Sequence, residues 1–259
     1  MLLAIDVGNT NLVLALGDVD VGVRDVWRIG TDAISDAETC IDLMRSTMGA
    51  SLDEADDSII ASVVPHVTPH VVEALSMLTG RPPLVVGSAD VSLGIDINID
   101  MPQQAGADRL VNAVGAKAHH RLPAIVLDFG TATTLDLVAA NGAYEGGIIA
   151  PGVSLSIEAL ERAAAQLPRL ELRRFEADLP ILGKNTIAAM ESGVFWGYVS
   201  MIDGLLARLR DAHCGADDNM TAIMTGGLAG LFATHLEGPV IVDSDLTVKG
   251  LFEIFARNR

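Results

Sequence analysis

The chain has 259 residues, of which 50% are hydrophobic, and its 17 Lys and Arg against 34 Asp and Glu give a net charge of −17 at pH 7. This composition supports a sizeable core and argues against disorder, and an acidic chain without a basic run is not expected to bind nucleic acid. No apolar run approaches the ~18 residues of a membrane helix, and no basic region precedes the first apolar run. We therefore expect a cytoplasmic protein without a membrane partner.

Hydrophobic periodicity predicts strands and helices that alternate along the chain, which is typical of an α/β fold. The predicted strands are residues 2–7, 11–16, 23–29, 58–63, 83–87, 124–129, 132–139, 145–150, 220–224 and 239–242. The predicted helices are one that starts after residue 35 and those at 68–79, 107–120, 153–165, 186–212, 227–234 and 247–257. Ser35 and Glu38 are spaced as a capping box at the start of the first of these helices.

Two cysteines, Cys40 and Cys214, lie far apart in the chain. Their spacing fits neither a disulfide scaffold nor a thiolate zinc site, so we expect both to be small buried residues.

Because the chain is so acidic, an anion would have to be bound by backbone N–H groups, a metal ion or a few isolated cations.

The opening pattern of the chain recurs in its second half. Asp6 and Gly8 correspond to Asp128 and Gly130, and both pairs are separated by 122 positions (128 − 6 and 130 − 8). In each copy an apolar strand runs into an acidic residue, a glycine turn with hydroxyl or amide side chains, and a second apolar strand. We interpret this as a duplicated hairpin. Two unrelated hairpins with ordinary Asp and Gly turns are the simpler alternative.

The two turns have the composition of phosphate-binding loops. Glycine leaves room for a phosphate to approach the backbone, and the polar side chains around it offer donors. The carboxylates of Asp6 and Asp128 would repel a phosphate unless a hydrated Mg²⁺ or another cation lay between them. The pattern predicts a metal-dependent nucleotide site in which the two hairpins face each other across a cleft.

Other phosphate-binding sequences are excluded or weaker. Residues 183–186 hint at a P-loop, but Asp178 stands where that motif needs glycine, and no G-x-G-x-x-G follows a strand. Residues 224–229, Met-Thr-Gly-Gly-Leu-Ala, follow a predicted strand and open a helix, where glycines would let an adenine or ribose approach. An ordinary strand-to-helix turn is the alternative there.

Asp108 and Arg109 stand at the start of a predicted helix, after Gly106 and Ala107. Adjacent helical side chains diverge, so Asp108 would accept or orient a hydroxyl proton while Arg109 holds a carboxylate or phosphate oxygen. The alternative is an Asp that stabilises the helix dipole beside an exposed Arg.

The long helix that begins at Thr186 has a wide apolar face with Gly193, Gly197 and Gly204, which indicates core packing or a homodimer interface.

Taken together, seven segments of the chain resemble type III pantothenate kinase, a family of the superfamily that contains actin and the sugar kinases. The segments are residues 6–11, 61–65, 106–109, 128–134, 146–152, 183–186 and 225–228, in order and nearly end to end. The resemblance implies a duplicated actin-like ATPase (ribonuclease H-like) fold with two similar α/β halves around a nucleotide cleft, which we place at residues 1–115 and 116–259.

The resemblance also implies the reaction, in which ATP phosphorylates pantothenate to 4′-phosphopantothenate in the first step of coenzyme A synthesis. It implies Mg²⁺ bound through water by Asp6, K⁺ or NH₄⁺ bound by Asp128, Asp108 as proton acceptor, and a homodimer. The implied phosphate and ATP contacts are Asp6, Val7, Gly8, Asn9, Thr10, Asn11, Leu12, Val13 and Thr131. The implied pantothenate contacts are Ile99, Gly106, Ala107, Asp108, Arg109 and Thr186.

One position differs from the family's pattern, in which a tyrosine stands seven residues before Gly106. Ile99 occupies this position. The change removes a hydroxyl and an aromatic face, so we expect altered substrate binding rather than loss of activity. A kinase of another small hydroxy acid or sugar, and a nucleotide-binding accessory or regulatory protein, remain as alternatives.

Overall fold

The computed structural model describes residues 1–163, 168, 170, 179–213 and 220–259. The chain divides into two compact units. The first unit comprises residues 1–121, 141–146 and 245–259, and the second comprises residues 122–140 and 147–244. Cys214, Asp178 and the last two residues of the predicted helix 153–165 lie outside the described residues.

The first unit is built on a five-stranded sheet. Its elements are β1 (Leu2–Val7), β2 (Asn11–Asp18), β3 (Gly22–Gly30), α1 (Ala37–Met48), β4 (Asp57–Ser62), α2 (Thr68–Thr79), β5 (Leu84–Val85), α3 (Ala107–His119) and the C-terminal α7 (Leu246–Arg257). The strand order is β3-β2-β1-β4-β5, in which β1 pairs antiparallel with β2 and parallel with β4. The sheet is therefore mixed, with an antiparallel three-stranded half and a parallel half.

Strand β1 is buried on both faces, and its side chains alternate between two cores. Leu3 and Ile5 pack in a cluster with residues of α1 and α2, whereas Leu2 and Ala4 pack with residues of α3 and α7. Because successive side chains of a strand point to opposite faces, Asp6 lies on the face that α3 and α7 cover. The alternation thus places this carboxylate on the α3 side of the sheet.

The second unit repeats this strand order. Its elements are β6 (Ala124–Phe129), β7 (Ala132–Val138), β8 (Tyr144–Pro151), α4 (Val153–Ala163), α5 (Thr186–His213), β9 (Thr221–Gly226), α6 (Ala229–Phe232) and β10 (Val240–Val242). The order is β10-β9-β6-β7-β8, and β6 pairs antiparallel with β7 and parallel with β9. Element by element this matches β5-β4-β1-β2-β3, so the two halves are similar, as the duplicated hairpin predicted.

The structure corrects the predicted start of α1. Asp36 is the N-cap, and its Oδ1 accepts a hydrogen bond from the Thr39 backbone N–H at 2.7 Å. Ser35 lies one residue outside the helix and donates to Asp36 Oδ2 instead. The capping box of Ser35 and Glu38 was therefore wrong, because a carboxylate next to the serine is the stronger acceptor for the helix N–H. This bond and those from the Thr39 and Ser35 hydroxyls lower the pKa of Asp36.

Two predicted elements are shorter than expected. The strand at 83–87 is reduced to Leu84–Val85, and the helix at 227–234 becomes α6 followed by a short 3₁₀ turn, Ala233–His235. The backbone at Gly226 has a positive φ of 87°, and Leu228 is the N-cap of α6. The glycine turn thus delays the start of the helix by two residues.

Candidate active site

The loop between β1 and β2 is a four-residue turn. Val7 pairs with Leu12 and Asp6 with Val13, which leaves residues 8–11 as the turn. The Gly8 N–H donates to the Asn11 carbonyl at 3.0 Å. The side chains of Asn9, Thr10 and Asn11 are exposed, as a loop that accepts an anion requires. The first predicted hairpin is therefore present, with Asp6 near the end of β1 and an exposed turn after it, and the phosphate-binding role of these residues stays a prediction.

A buried threonine holds this loop from behind. Thr31 follows β3 and is 3% exposed, and its N–H donates to the Thr10 carbonyl at 3.0 Å. Its hydroxyl donates to the Gly8 carbonyl at 2.7 Å. Sequence reasoning missed Thr31, because only the pairing of β3 with β2 brings it to the loop.

The corresponding loop in the second unit is one residue shorter. Phe129 pairs with Thr133, so the turn contains only Gly130, Thr131 and Ala132, and the Gly130 N–H donates to the Ala132 carbonyl at 3.1 Å. Thr131 is exposed at its tip. The repeat of 122 positions thus holds for the first strand of each hairpin and becomes 121 (133 − 12) for the second.

Gly152, which follows β8, supports this shorter loop. Its N–H donates to the Thr131 carbonyl at 3.1 Å. A Cβ at position 152 would lie 2.3 Å from that carbonyl oxygen and 2.7 Å from the Gly130 oxygen. Only glycine lets the backbone approach the loop this closely. Gly152 ends one of the segments that resemble the family, residues 146–152, and the sequence alone predicts no role for it.

Asp128 lies at the end of β6 beside the glycine that ends β9. In the parallel pairing Asp128 is opposite Thr225 and Phe129 is opposite Gly226. A Cβ at position 226 would lie 2.7 Å from Asp128 Oδ1 and equally close to the Phe129 backbone N and O. Because Gly226 has no side chain, the end of β9 can pack directly against this carboxylate and the Phe129 backbone.

The segment from Gly106 to Arg109 forms the start of α3, with Gly106 as the N-cap. The Arg109 N–H donates to Asp108 Oδ1 at 2.8 Å, and a Cβ at position 106 would lie 2.5 Å from the same oxygen. The Asp108 side chain thus folds over the first turn of the helix, in the place that glycine leaves. This contact with the helix start agrees with the dipole interpretation, and it leaves the predicted catalytic role of Asp108 untested.

Val63 connects this segment with the first hairpin. Its N–H donates to the Val7 carbonyl at 3.1 Å, and its Cγ1 would lie 3.7 Å from a Cβ at Gly106. The end of β1 and the start of α3 are therefore neighbours within the first unit. In this way the fold places Asp6 and Asp108 in one region of the unit.

Arg109 lies over a buried aromatic ring that the sequence analysis did not single out. Its Cζ is 5.7 Å from the ring centre of Tyr144, which is 0% exposed. Tyr144 is fixed by two backbone hydrogen bonds, in which its N–H donates to the Asp96 carbonyl at 2.9 Å and its carbonyl accepts from the Asn98 N–H at 2.8 Å. The ring stabilises the guanidinium through a cation–π contact and limits its orientation.

Ile99 lies next to the same part of the chain. A Cβ at Gly146, whose φ is 100°, would lie 3.3 Å from Ile99 Cγ2. Ile99 is half-buried, so part of its side chain remains accessible. The structure brings Ile99, Gly106, Ala107, Asp108 and Arg109 into the first unit, whereas Thr131, Asp128 and Thr186 belong to the second.

Thr186 is the first residue of α5 and is exposed. The Asn185 side chain accepts a hydrogen bond from the Ala188 N–H at 2.9 Å, so Asn185 caps the helix. Gly183 packs against the first turn, where a Cβ would lie 2.2 Å from the Ala189 nitrogen. Residues 183–186 are therefore a capped helix start.

Helix α5 has one buried side and one side that lines a groove. Phe195, Val199 and Ile202 are part of the second unit's core, which confirms the core-packing interpretation for that side. Gly193 and Gly197 line a groove of about 920 Å³ between α4 and α5. Leu160 lines the groove and is exposed, and three further exposed apolar residues are close in sequence to lining residues, namely Leu155, Ile181 and Leu182.

Tyr198 joins this helix to the second loop. It lines the groove, and its hydroxyl is hydrogen bonded to Thr133 at the base of the hairpin. Burial raises the pKa of Tyr198 above its ordinary value. The side chain therefore stays protonated near neutrality.

The described residues contain no cluster of three or more His, Cys, Asp and Glu side chains that would hold a metal by themselves. A single carboxylate such as Asp6 suits Mg²⁺, which keeps several waters and takes its remaining ligands from substrate phosphates.

Among the described residues, no helix is both long and apolar enough to cross a membrane.

Two mixed α/β units of one strand order, each with an Asp-Gly hairpin, define a protein of the actin-like ATPase fold. Solved structures with this fold include a ROK family glucokinase from Streptomyces griseus, with a TM-score of 0.55 and 12% identity over 97% of both chains. A protein from Campylobacter jejuni described as a Baf family transcriptional activator has a TM-score of 0.64 and 19% identity over 99% of this chain and 98% of that one. At these identities the likeness shows the fold alone.

The family is shown by sequence. The family model of type III pantothenate kinase matches residues 2–208. The chain is 48% identical to the type III pantothenate kinase of Rhodospirillum rubrum over 266 residues, covering 100% of this chain and 99% of that protein. It is 46% identical to that of Caulobacter vibrioides over 261 residues, covering 100% and 98%. The chain belongs to the type III pantothenate kinase family and is a phosphotransferase that phosphorylates pantothenate with ATP.

Proposed function

We propose that the first hairpin, from Asp6 to Val13, binds the ATP phosphates, and that Thr131 at the tip of the second hairpin makes a further ATP contact. The observation that carries this assignment is the loop that both units repeat. In each copy the backbone carbonyl of an exposed threonine, Thr10 or Thr131, accepts a hydrogen bond from a buried N–H, that of Thr31 or Gly152. Exposed N–H and hydroxyl donors on a fixed turn suit an anion.

Asp6 is proposed to hold Mg²⁺ through water, and Asp128 to hold K⁺ or NH₄⁺. The position of Asp128 at the end of β6, just before the second hairpin turn, supports the second assignment. When bound, the two cations neutralise charge on the phosphates, which a protein of net charge −17 would otherwise repel.

Pantothenate is proposed to bind at Ile99, Gly106, Ala107, Asp108 and Arg109, with Thr186 as a further contact. Arg109 would hold the substrate carboxylate, and its position over Tyr144 supports this role by limiting where the guanidinium points. Asp108 would accept a hydrogen bond from the primary hydroxyl and align it. The hydroxyl oxygen then forms a bond to the γ-phosphorus, the bond from that phosphorus to the β–γ bridging oxygen breaks with its electron pair staying on ADP, and the hydroxyl proton passes to Asp108 and from there to solvent.

The working molecule is proposed to be a cytoplasmic homodimer that associates through the groove between α4 and α5. Ile181 and Leu182 directly precede the groove residue Gly183 and are 74% and 75% exposed. These exposed apolar side chains support the interface, since such patches on a monomer usually mark association sites. We further propose that residues 1–115 and 116–259 are the two ancestral halves of the duplication.

A turnover assay tests the proposal. The protein is incubated with MgATP and each of several hydroxy acids and sugars, in K⁺, NH₄⁺ or Na⁺ buffer, and the phosphorylated product is identified by mass spectrometry. We expect 4′-phosphopantothenate in K⁺ or NH₄⁺. Phosphorylation of a different acceptor in preference would support the alternative of another hydroxy-acid kinase, and ATP binding without any product would support a regulatory protein.

Sedimentation equilibrium tests the dimer, and an Ile181→Glu, Leu182→Glu variant is expected to be monomeric.

A further inference from the structure

The first phosphate loop is held by a side chain outside the segments that the family resemblance covers. Thr31 reaches the loop with two hydrogen bonds, from its N–H to the Thr10 carbonyl at 3.0 Å and from its hydroxyl to the Gly8 carbonyl at 2.7 Å. The residue is 3% exposed, so water does not readily replace either bond. Both carbonyl oxygens are thereby turned towards β3.

The direction of these carbonyls matters for an anion. A carbonyl oxygen that faced the phosphate would repel it, whereas one bonded to Thr31 is directed away from the exposed side of the loop. Asn9, Thr10 and Asn11 on that exposed side are then left as the surface that a phosphate meets. Thr31 therefore sets the direction of two loop carbonyls while its own side chain stays buried away from the exposed surface.

The second unit contains the same backbone contact. The Gly152 N–H donates to the Thr131 carbonyl at 3.1 Å, and both residues are 121 positions after their counterparts (152 − 31 and 131 − 10). Gly152 supplies the N–H but, being glycine, has no hydroxyl that could make the second bond. The hydroxyl bond to Gly8 is thus an addition in the first unit, which carries the longer, four-residue loop.

We propose that Thr31 is a positioning residue for nucleotide binding, whose buried hydroxyl keeps the Gly8 carbonyl turned away from the ATP phosphates. This inference rests on the proposed role of the first hairpin in binding ATP. It predicts that loss of the hydroxyl weakens ATP binding specifically, because both bonds of Thr31 end on the turn of the first hairpin, whereas the pantothenate segment at Gly106–Arg109 adjoins β1 through Val63.

The test compares Thr31→Val, which keeps the shape and removes the hydroxyl, with Thr31→Ser, which keeps the hydroxyl. In the first variant the Gly8 carbonyl loses its buried partner. We expect the KM for ATP to rise about tenfold or more, the KM for pantothenate to stay within about twofold, and Thr31→Ser to recover most of the ATP affinity. Thr79→Val is the matched control, since the Thr79 hydroxyl also donates to a backbone carbonyl, that of Leu75 at 3.0 Å, on α2. We expect its KM for ATP to be unchanged.

Calorimetric binding of MgATP without pantothenate separates this inference from the assigned reaction. If the wild type binds MgATP but does not phosphorylate pantothenate, the reaction is wrong, and the affinities of Thr31→Val and Thr31→Ser still decide the role of Thr31. If Thr31→Val does not fold, Thr31→Ala and Thr31→Ser are compared, because both lack the methyl group and differ only in the hydroxyl. Equal ATP affinity in the two members of the folded pair, or an equal rise in both KM values, would overturn the proposal.

Discussion

Gly226 lies against Asp128 so closely that a methyl group at position 226 would stand 2.7 Å from the carboxylate oxygen Oδ1. The same methyl group would lie 2.7 Å from the backbone nitrogen and oxygen of Phe129, so the contact cannot be relieved by rotation of the Asp128 side chain alone. The φ of Gly226 is 87°, which an L-residue adopts only with strain. These two constraints make Gly226 a sensitive probe of the cation proposed for Asp128.

We predict that Gly226→Ala weakens activation by K⁺ or NH₄⁺. The methyl group would force the Asp128 carboxylate and the Phe129 backbone out of their present positions, so the concentration of K⁺ for half-maximal activity is expected to rise at least ~10-fold. Titration of K⁺ at saturating MgATP and pantothenate measures this. Gly230→Ala is the control, because a Cβ there meets nothing within 4 Å, and it should leave the K⁺ response unchanged. An unaltered K⁺ response in a folded Gly226→Ala protein would contradict the cation assignment.

For the acceptor segment we predict different consequences at two adjacent residues. Asp108→Asn keeps the size of the side chain but removes the charge that aligns the hydroxyl, so kcat is expected to fall by ~10² to 10⁴-fold while MgATP affinity is retained. Arg109→Ala is expected to raise mainly the KM for pantothenate, because the substrate carboxylate would lose its bidentate partner. Near-normal kcat in Asp108→Asn, with its fold intact, would contradict a catalytic role for Asp108.

The sequence was sufficient to predict the two hairpins because their strands have a simple pattern. Residues Leu2, Leu3, Ala4 and Ile5 are buried on both faces, which gives a continuous apolar run that ends at a polar turn. The duplication was visible for the same reason, since Asp and Gly mark the end of each first strand. The orders of the strands in the two sheets then confirmed it.

The supports of the loops were not predictable from the same pattern. Thr31 meets Thr10 only through the pairing of β2 with β3, and that register shifts between Leu16 and Gly17. A bulge of this kind changes which residue lies opposite the loop, and it leaves no periodic signal in the sequence. The role of Tyr144 was not predictable either, because its contact with Arg109 joins residues that are far apart in the chain. Whether Asp6 and Asp128 act on one nucleotide stays a prediction.

At the position of the family's tyrosine, we predict that Ile99→Tyr lowers the KM for pantothenate more than the KM for ATP. Ile99 lies beside Gly146 and is half-buried, so a larger ring has an accessible side into which it can extend. A tyrosine adds aromatic surface and a hydroxyl donor. Steady-state kinetics with each substrate varied in turn measures the effect, with Ile99→Leu as the control for a change of shape alone. A parallel change in both constants would argue against a substrate contact at this position.

Cys40 is predicted to be unreactive in the folded protein. Burial raises the pKa of its thiol from the ordinary 9.0 to about 11. Between these values the unfolded chain loses the thiol proton while the folded chain keeps it, so this group lowers the free energy of unfolding as pH rises from 9 to 11. Iodoacetamide should modify Cys40 at pH 8 only after unfolding, as measured by mass spectrometry in a Cys214→Ser background. The decline in stability above pH 9 should be smaller in Cys40→Ala, and rapid alkylation of the native protein would disprove the assignment.

Helices α3 and α7 are predicted to depend on glycine where they meet. A Cβ at Gly250 would lie 2.2 Å from the Val111 carbonyl oxygen, and one at Gly115 would lie 2.6 Å from the Leu246 carbonyl oxygen. These neighbours are backbone atoms, so the helices would have to separate to admit a methyl group. Overpacking costs about 1–3 kcal/mol, whereas Ala gains only about 0.5–1 kcal/mol over Gly in a helix. The unfavourable term is larger, and we expect Gly250→Ala to lower the free energy of unfolding by about 1 kcal/mol or more.

Urea unfolding followed by Trp27 fluorescence measures this change in the unit that contains both helices. The chain has two tryptophans, and a Trp196→Phe background leaves Trp27, which packs against the core of the first unit, as the reporter. Gly204→Ala on α5 of the second unit, followed from Trp196 in a Trp27→Phe background, is the matched control, because a Cβ there meets only the end of the flexible Arg208 side chain at 3.1 Å. The control should be neutral or slightly stabilising, since it gains helix propensity without backbone overlap. Gly115→Ala should behave as Gly250→Ala does, and a Gly250→Ala protein as stable as its parent would mean that the two helices separate without loss of packing.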